Sequence, residues 1–409
     1  MRVGRHASNQ PLACVIGDLS LVRALGRADI TVAVATSERD SKVRLSRYCA
    51  AAVPTPSWVD DPGAALAAII AWSKQQREAP VLFYQGDHDL LAVSRGREGL
   101  APHLRCVLPP AELVEDLVDK LRFAALAGRR NLPVPVTRTL LRSKDLADEV
   151  RRWTSFPCVL KPATRSPRFA EVGRGRKALR LESRIELENL IGIIERYETD
   201  FVLQAAIEGG EDRIVSYHAY IRPGGQVMAD FTGRKLRTAP RLYGFSTYVE
   251  ITNDDEVRRV GRSVLGELGF SGVVKLDFKR DRRDNQLYLL EINPRFNLWH
   301  HAGAVAGVSI PALVYRDCVE PGAVQPAGPV RPGVRWVSLR EDAHVATEYR
   351  AAGELSLGQW LLEMATVDVN EAFSIRDPLP GLADLGGMVR RKVAKLLRRR
   401  PMQSLPQTP

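Results

Sequence analysis

The chain has 409 residues, 45% of them hydrophobic and 26% charged, which suits two or three packed domains and excludes a disordered chain. Its five cysteines (Cys14, Cys49, Cys106, Cys158, Cys318) are odd in number and fall at no metal-ligand spacing, which argues against a disulfide framework or zinc ribbon and for a reducing, cytoplasmic setting. No apolar run approaches the roughly 18 residues needed to cross a bilayer. The opening MRVGRHASNQ lacks the apolar core of a signal peptide, and seven Lys or Arg of the +11 formal excess sit in one acid-free segment, MVRRKVAKLLRRR, so the body carries no argument for nucleic-acid binding.

The first hundred residues alternate strand-like and helix-like runs: ACVIG, SLVRALGRA, ITVAVAT, AAVPTP, GAALAAIIAWSKQQRE and PVLFYQG. Such alternation predicts a parallel sheet flanked by helices. The first turn, GDLSLVRALG, lacks GxGxxG, so no dinucleotide is expected there. Asp87 and Asp89 fall at the carboxyl edge of this sheet, either as solvated loop charges or as substrate groups. After LPP at 108–110, the pattern predicts one helix over AELVEDLVDKLRFAALAGR, stopped at Gly128. From there strands come in antiparallel-looking pairs: CVLKPA with KALRLE, FVLQAAI with IVSYHAYI, and GVVKLDFKR with QLYLLEIN. Beyond Pro311 a helix leads into the connector EPGAVQPAGPVRPG and the last eighty or so residues.

The most informative stretch is YLLEINPRF, residues 288–296, where Glu291, Asn293 and Arg295 alternate at the end of an apolar strand and so share a face. A five-residue turn, 282–286, places Asp277 opposite Glu291, with Lys275 on the same face. Facing carboxylates destabilise a ladder, and buried unpaired ones cost more, so the site needs a cation. Carboxylates with an amide oxygen are hard ligands of the kind that hold magnesium alongside phosphate and water. The alternative is a salt-bridged hairpin in which Lys275 and Arg295 neutralise the two acids. His300 and His301 lack further ligands at metal spacing and read as packing residues.

This pattern resembles the ATP-grasp superfamily over roughly residues 112–318. The resemblance implies a mixed α/β and α+β architecture: a Rossmann-like pre-ATP-grasp domain (1–110), a two-lobed ATP-grasp domain (111–319) and a C-terminal extension with a basic terminal helix (320–409). It assigns magnesium, two ions with manganese as an alternative, to Asp277, Glu291 and Asn293. It sets Arg295 on the reacting phosphoryl, with Lys275 pairing negative charge beside it. Lys120 and Lys161 match the two phosphate-binding lysines. SPRFAEVGRGRKA matches the loop that folds over the phosphates, with Gly173, Gly175 and Lys177. In FVLQAAIEGGED, the backbone at Ala205 and Ile207 would pair with adenine, Gln204 would support that edge, and Glu211 would accept the ribose hydroxyls. In FTGRKLRTAP, Arg234 and Lys235 stand at a strand end, where the family places a basic residue on the γ-phosphate. The implied chemistry joins a small-molecule carboxylate to an amine through an acyl phosphate, with ATP as co-substrate. The fold also hosts kinases acting on a sugar or polyol hydroxyl, and a nucleotide-binding protein without turnover is the third reading. A homodimer is compatible with the resemblance. Val389, Val393, Leu396 and Leu397 in the basic tail fall at helical spacing, as in a helix docked on the body or lying on the anionic inner face of a membrane.

Overall fold

The computed structural model describes residues 10–38, 41–141, 146–163, 169, 178–194 and 199–387. The N-terminal sheet consists of β1 (Ala13–Ile16), β2 (Val32–Thr36), β3 (Cys49–Pro54) and β4 (Val81–Tyr84), all parallel, in the order β3-β2-β1-β4. β1 and β4 are buried along their whole length because helices cover both faces. One set of alternate side chains, Val15, Val34 and Phe83, meets the helix Leu19–Gly26. The other set, Cys14, Ala33 and Leu82, meets the helices Pro62–Ser73 and Asp87–Arg95.

A small antiparallel sheet follows, made of β5 (Thr137–Leu140), β6 (Cys158–Pro162), β7 (Leu179–Leu181) and β8 (Phe201–Ala205) in the order β5-β8-β6-β7. The largest sheet contains β9 (Ile214–Ile221), β10 (Val227–Ala239), β11 (Phe245–Thr252), β12 (Gly272–Arg280), β13 (Leu287–Asn293), β14 (Arg335–Val337) and β15 (Val369–Asn370), ordered β13-β12-β9-β10-β11-β14-β15. The amphipathic helix Asp255–Glu267 covers one of its faces through Val257, Val264 and Leu265, which meet Val274, Leu276 and Phe278. On the other face Phe231, Val249, Ile251 and Trp336 share a core with Val15 and Phe83 of the N-terminal sheet and Leu21 of the helix Leu19–Gly26. The two sheets are therefore continuous through apolar packing, and β14 and β15, from beyond residue 320, extend the large sheet.

Two expectations are corrected. FVLQAAI and IVSYHAYI do not pair: β8 lies between β5 and β6, whereas β9 lies between β12 and β10. The turn after β8, with Gly209 at φ +114°, carries the chain from one sheet to the other instead of folding it back as a hairpin. The single helix expected after residue 110 is two, Ala111–Val118 and Lys120–Arg129. Asp119 leaves helical geometry, and its carboxylate caps the second helix by accepting from the amides of Leu121 (2.8 Å) and Arg122 (2.9 Å).

The segment after β15 returns to the first helix. Arg23, 1% exposed, donates from Nε to Asp377 (2.9 Å), from Nη1 to the Glu371 carbonyl (2.7 Å) and from Nη2 to the Ala372 carbonyl (2.9 Å). Asp377 also accepts from the Ser46 hydroxyl and the Arg47 amide, each at 2.8 Å. Among the described residues, no helix is long and apolar enough to cross a membrane.

Candidate active site

A cavity of about 700 Å³ opens between the small sheet and the large one. Its floor is the β12–β13 hairpin. Asp277 faces Glu291 and Lys275 faces Asn293, as the alternation implied. The route to that register differs from the expected one. Arg280 pairs with Leu287, so the connection has six residues, 281–286, and a bulge leaves Leu290 unpaired between Leu289 and Glu291. The bulge removes the one-residue offset that the longer turn introduces.

The cation demanded by the facing carboxylates is supplied largely by the protein. Asp277 is 1% exposed, and its Oδ2 lies 2.9 Å from Lys275 Nζ and 3.2 Å from Lys235 Nζ, while Oδ1 accepts from the Ser216 hydroxyl. Burial alone would raise this carboxyl, but the two ammonium groups and the hydroxyl outweigh it and hold Asp277 well below the usual carboxylate range. Burial would lower Lys235, yet the charges of Asp277, Glu291 and Glu211 raise it above an ordinary lysine. Lys275 goes the other way, lowered by burial and by Lys235 beside it.

Glu291 is exposed to the cavity, where the sequence suggested a buried place. It accepts from Asn293 Nδ2 (3.1 Å), Asn293 Oδ1 accepts from Arg295 Nη2 (3.1 Å), and Arg295 Nε pairs with Asp87. The three alternating side chains thus form one hydrogen-bonded row, joined to the N-terminal sheet at its far end. Lys275 shares the face of Asp277, with its ammonium 5.1 Å over the Trp299 ring, but is not itself among the residues that line the cavity.

Arg234 and Lys235 are mid-strand, because β10 runs on to Ala239, and they point to opposite faces. Lys235 enters the cavity; Arg234 turns away and pairs with Glu250 at 2.7 Å. The cavity face of β10 is set by Phe231, packed in the shared core, and by Gly233, where a Cβ would come within 2.6 Å of Trp299.

The opposite wall belongs to the small sheet. Lys161, on β6, donates to Gln204 Oε1 at 2.7 Å, and Gln204 Nε2 donates to Thr137 Oγ1 at 3.0 Å. Burial, with Lys120 nearby, lowers Lys161 to about 8 against the pull of Glu291. Lys120 opens the second half of the broken helix, and its Nζ donates to the Pro162 carbonyl at 2.6 Å. Ala205 and Ile207 line the cavity; the Ala205 amide is bonded to the Val136 carbonyl at 2.9 Å. Glu211 is buried, and its Oε2 accepts from Thr238 Oγ1 at 3.1 Å. Lys177, Gly173 and Gly175 lie outside the described residues, as does the basic tail.

Lys279 also lines the cavity, on the Lys275–Asp277 face of β12 and lowered by burial. The alternation of KLDFK could have identified it. His300 and His301 are buried, and desolvation lowers each to about 3. Among the described residues no group of three His, Cys, Asp or Glu side chains stands ready for a metal. What the hairpin offers is oxygen only, from Asp277, Glu291 and the Asn293 amide, a donor set that fits magnesium and not a softer ion.

No family model matches this sequence. The chain is 26% identical over 242 residues to a D-aspartate ligase of Enterococcus faecium (strain Aus0004), covering 57% of this chain and 57% of that protein. It therefore spans little more than half the length of that relative. Similar solved structures include N5-carboxyaminoimidazole synthetase from Staphylococcus aureus (TM-score 0.62, 13% identity, 86% of this chain and 88% of that one). An L-amino acid ligase from Bacillus licheniformis also matches (TM-score 0.57, 17% identity, 78% of each chain). So does a biotin carboxylase from Campylobacter jejuni (TM-score 0.56, 14% identity, 79% and 74%). At these identities the likeness is one of fold, and the fold is the ATP-grasp fold.

Proposed function

We propose that the chain is a magnesium- and ATP-dependent ligase that joins a small carboxylic acid to an amine. The observation that carries this reading is one cavity in which Lys120, Lys161, Lys235 and Arg295 face the oxygen donors Asp277, Glu291 and Asn293. Phosphoryl transfer needs charge neutralised and groups held in line more than it needs a strong base, and this lining provides both.

In the proposed reaction the substrate carboxylate attacks the γ-phosphate, forming an acyl phosphate and releasing ADP. The amine then displaces inorganic phosphate. Lys120 and Lys161 hold the nucleotide phosphates from the small-sheet wall. Lys235, raised by its acidic neighbours, keeps its proton at neutral pH and meets the transferring group from the large sheet. Arg295 stands at the end of the hairpin toward the N-terminal sheet, and the Ala205–Glu211 segment carries the nucleoside. Magnesium or manganese, held by Glu291, Asn293 and Asp277, would neutralise and align the phosphates when bound.

With this reading go the partition into domains 1–110, 111–319 and 320–409 and a cytoplasmic site of action. The relative's substrate makes amino acids, D-aspartate first, the carboxylates or amines to test. The test is ADP release over carboxylates crossed with amines, with products weighed by mass spectrometry. An amide product supports the ligase; ADP with a phosphorylated hydroxyl and no amide replaces it with a kinase. The tail reading is tested separately, by flotation with anionic vesicles of the full chain and of one cut after Gly387; equal binding by the two removes it.

A further inference from the structure

Of the carboxylates lining the cavity, three have work in the reading above: Asp277 and Glu291 on the hairpin, and Glu211 on the nucleoside side. Asp87 has none. It comes from the N-terminal sheet, at the first turn of the helix that follows β4. It is not the cap of that helix, since Asp89 takes that role by accepting from the Gly86 amide at 2.6 Å and the Gln85 amide at 3.2 Å. The described partner of Asp87 is Arg295, and the pair lines the cavity with side-chain exposures of 44% and 19%.

An acid is out of place beside bound phosphates, which it repels. It is in place where the ligand carries a cation. Asp87 and Arg295 present one negative and one positive group side by side, the complement of a molecule that carries an ammonium and a carboxylate a few bonds apart. A partly exposed ion pair is weakly held, so such a molecule can exchange one intramolecular contact for two intermolecular ones. We infer that the Asp87–Arg295 pair is the recognition site for a zwitterionic amino acid, with Arg295 taking its carboxylate and Asp87 its ammonium. The inference rests on the ligase reading for its biological meaning, but it is a statement about binding and is tested as one.

The test is calorimetry on the full chain with magnesium and a non-hydrolysable ATP analogue. The probes are glycine and both enantiomers of alanine and aspartate, each set against the acid that lacks its amino group: acetate, propionate and succinate. At least one amino acid is expected to bind tenfold or more tighter than its counterpart. Asp87→Asn should weaken that amino acid about tenfold or more and leave the counterpart within about twofold, and Asp87→Glu, which keeps the charge, should recover most of the loss. Two outcomes overturn the inference: no amino acid outbinds its counterpart, or Asp87→Asn weakens both alike, which would make Asp87 only a prop for Arg295. Because turnover is not read, amino-acid binding without amide formation in the ligation screen refutes the ligase reading and leaves the recognition site standing.

Discussion

Replacing Lys161 with Met separates what the site costs the fold from what it gives the nucleotide. In the folded chain burial lowers this lysine from 10.5 to about 8. At about 1.36 kcal/mol per pKa unit, keeping it charged at neutral pH destabilises the fold by about 3 kcal/mol. Met removes that penalty but leaves Gln204 Oε1 without its 2.7 Å donor, a loss of about 1 kcal/mol. Lys161→Met should therefore be more stable than the parent by about 2 kcal/mol in urea titrations near pH 7. The sign with pH follows from linkage: between about 8 and 10.5 the unfolded chain binds the proton that the folded chain has lost, so parental stability rises across that window and the variant's advantage fades. Affinity moves the other way. A charge-assisted contact to phosphate contributes about 1.5 to 3 kcal/mol, so a non-hydrolysable ATP analogue should bind roughly tenfold to a hundredfold more weakly by calorimetry. Unchanged nucleotide affinity would refute the phosphate role, and an advantage that grows with pH would refute the burial argument.

Asp277→Asn leaves Lys235 and Lys275 buried without their shared carboxylate, so it should abolish ADP release and destabilise the chain by roughly 3 to 5 kcal/mol in denaturant titration. The contribution of Asp277 is present above the ordinary aspartate value of 3.8 and is lost as the pH falls below it, so parent and variant should converge in acid. Glu291→Gln and Asn293→Ala, at the open end of the row, should keep the parental melting temperature and lose about a hundredfold or more of magnesium-dependent ADP release. Lys235→Ala should lose a similar factor while Arg234→Ala, on the far face, stays within about twofold of the parent; equal effects would contradict the side assignment.

The parallel sheet was legible in the sequence because its strands are short apolar runs separated by helical periodicity. The facing of Asp277 and Glu291 was legible for a less secure reason. The turn is one residue longer than its sequence suggested, and the bulge at Leu290, which carries no glycine to announce it, cancels the difference. Arg234 and Lys235 were not separable from adjacency alone, since which of two neighbours enters the cavity depends on the buried face, and that face is set by Phe231, Gly233 and Trp299 from distant elements. The break at Asp119 was hidden because the apolar pattern of one helix runs on into the next. β8 and β9 were misjoined by assuming that strands adjacent in sequence are adjacent in a sheet, which fails where a chain crosses from one sheet to another.

Arg23 gives the molecule a direction in time. It lies in the first helix, yet Asp377, which neutralises it, is 354 residues downstream. At roughly 5 to 20 residues per second, a ribosome takes on the order of 20 to 70 s to make the intervening chain. During that interval the first sheet must either bury an uncompensated guanidinium, at a cost of several kcal/mol, or keep the helix Leu19–Gly26 undocked with its apolar side open to chaperones. A chain that stops short of Asp377 lacks the carboxylate that neutralises Arg23, so docking of the helix Leu19–Gly26 is tied to synthesis having passed residue 377.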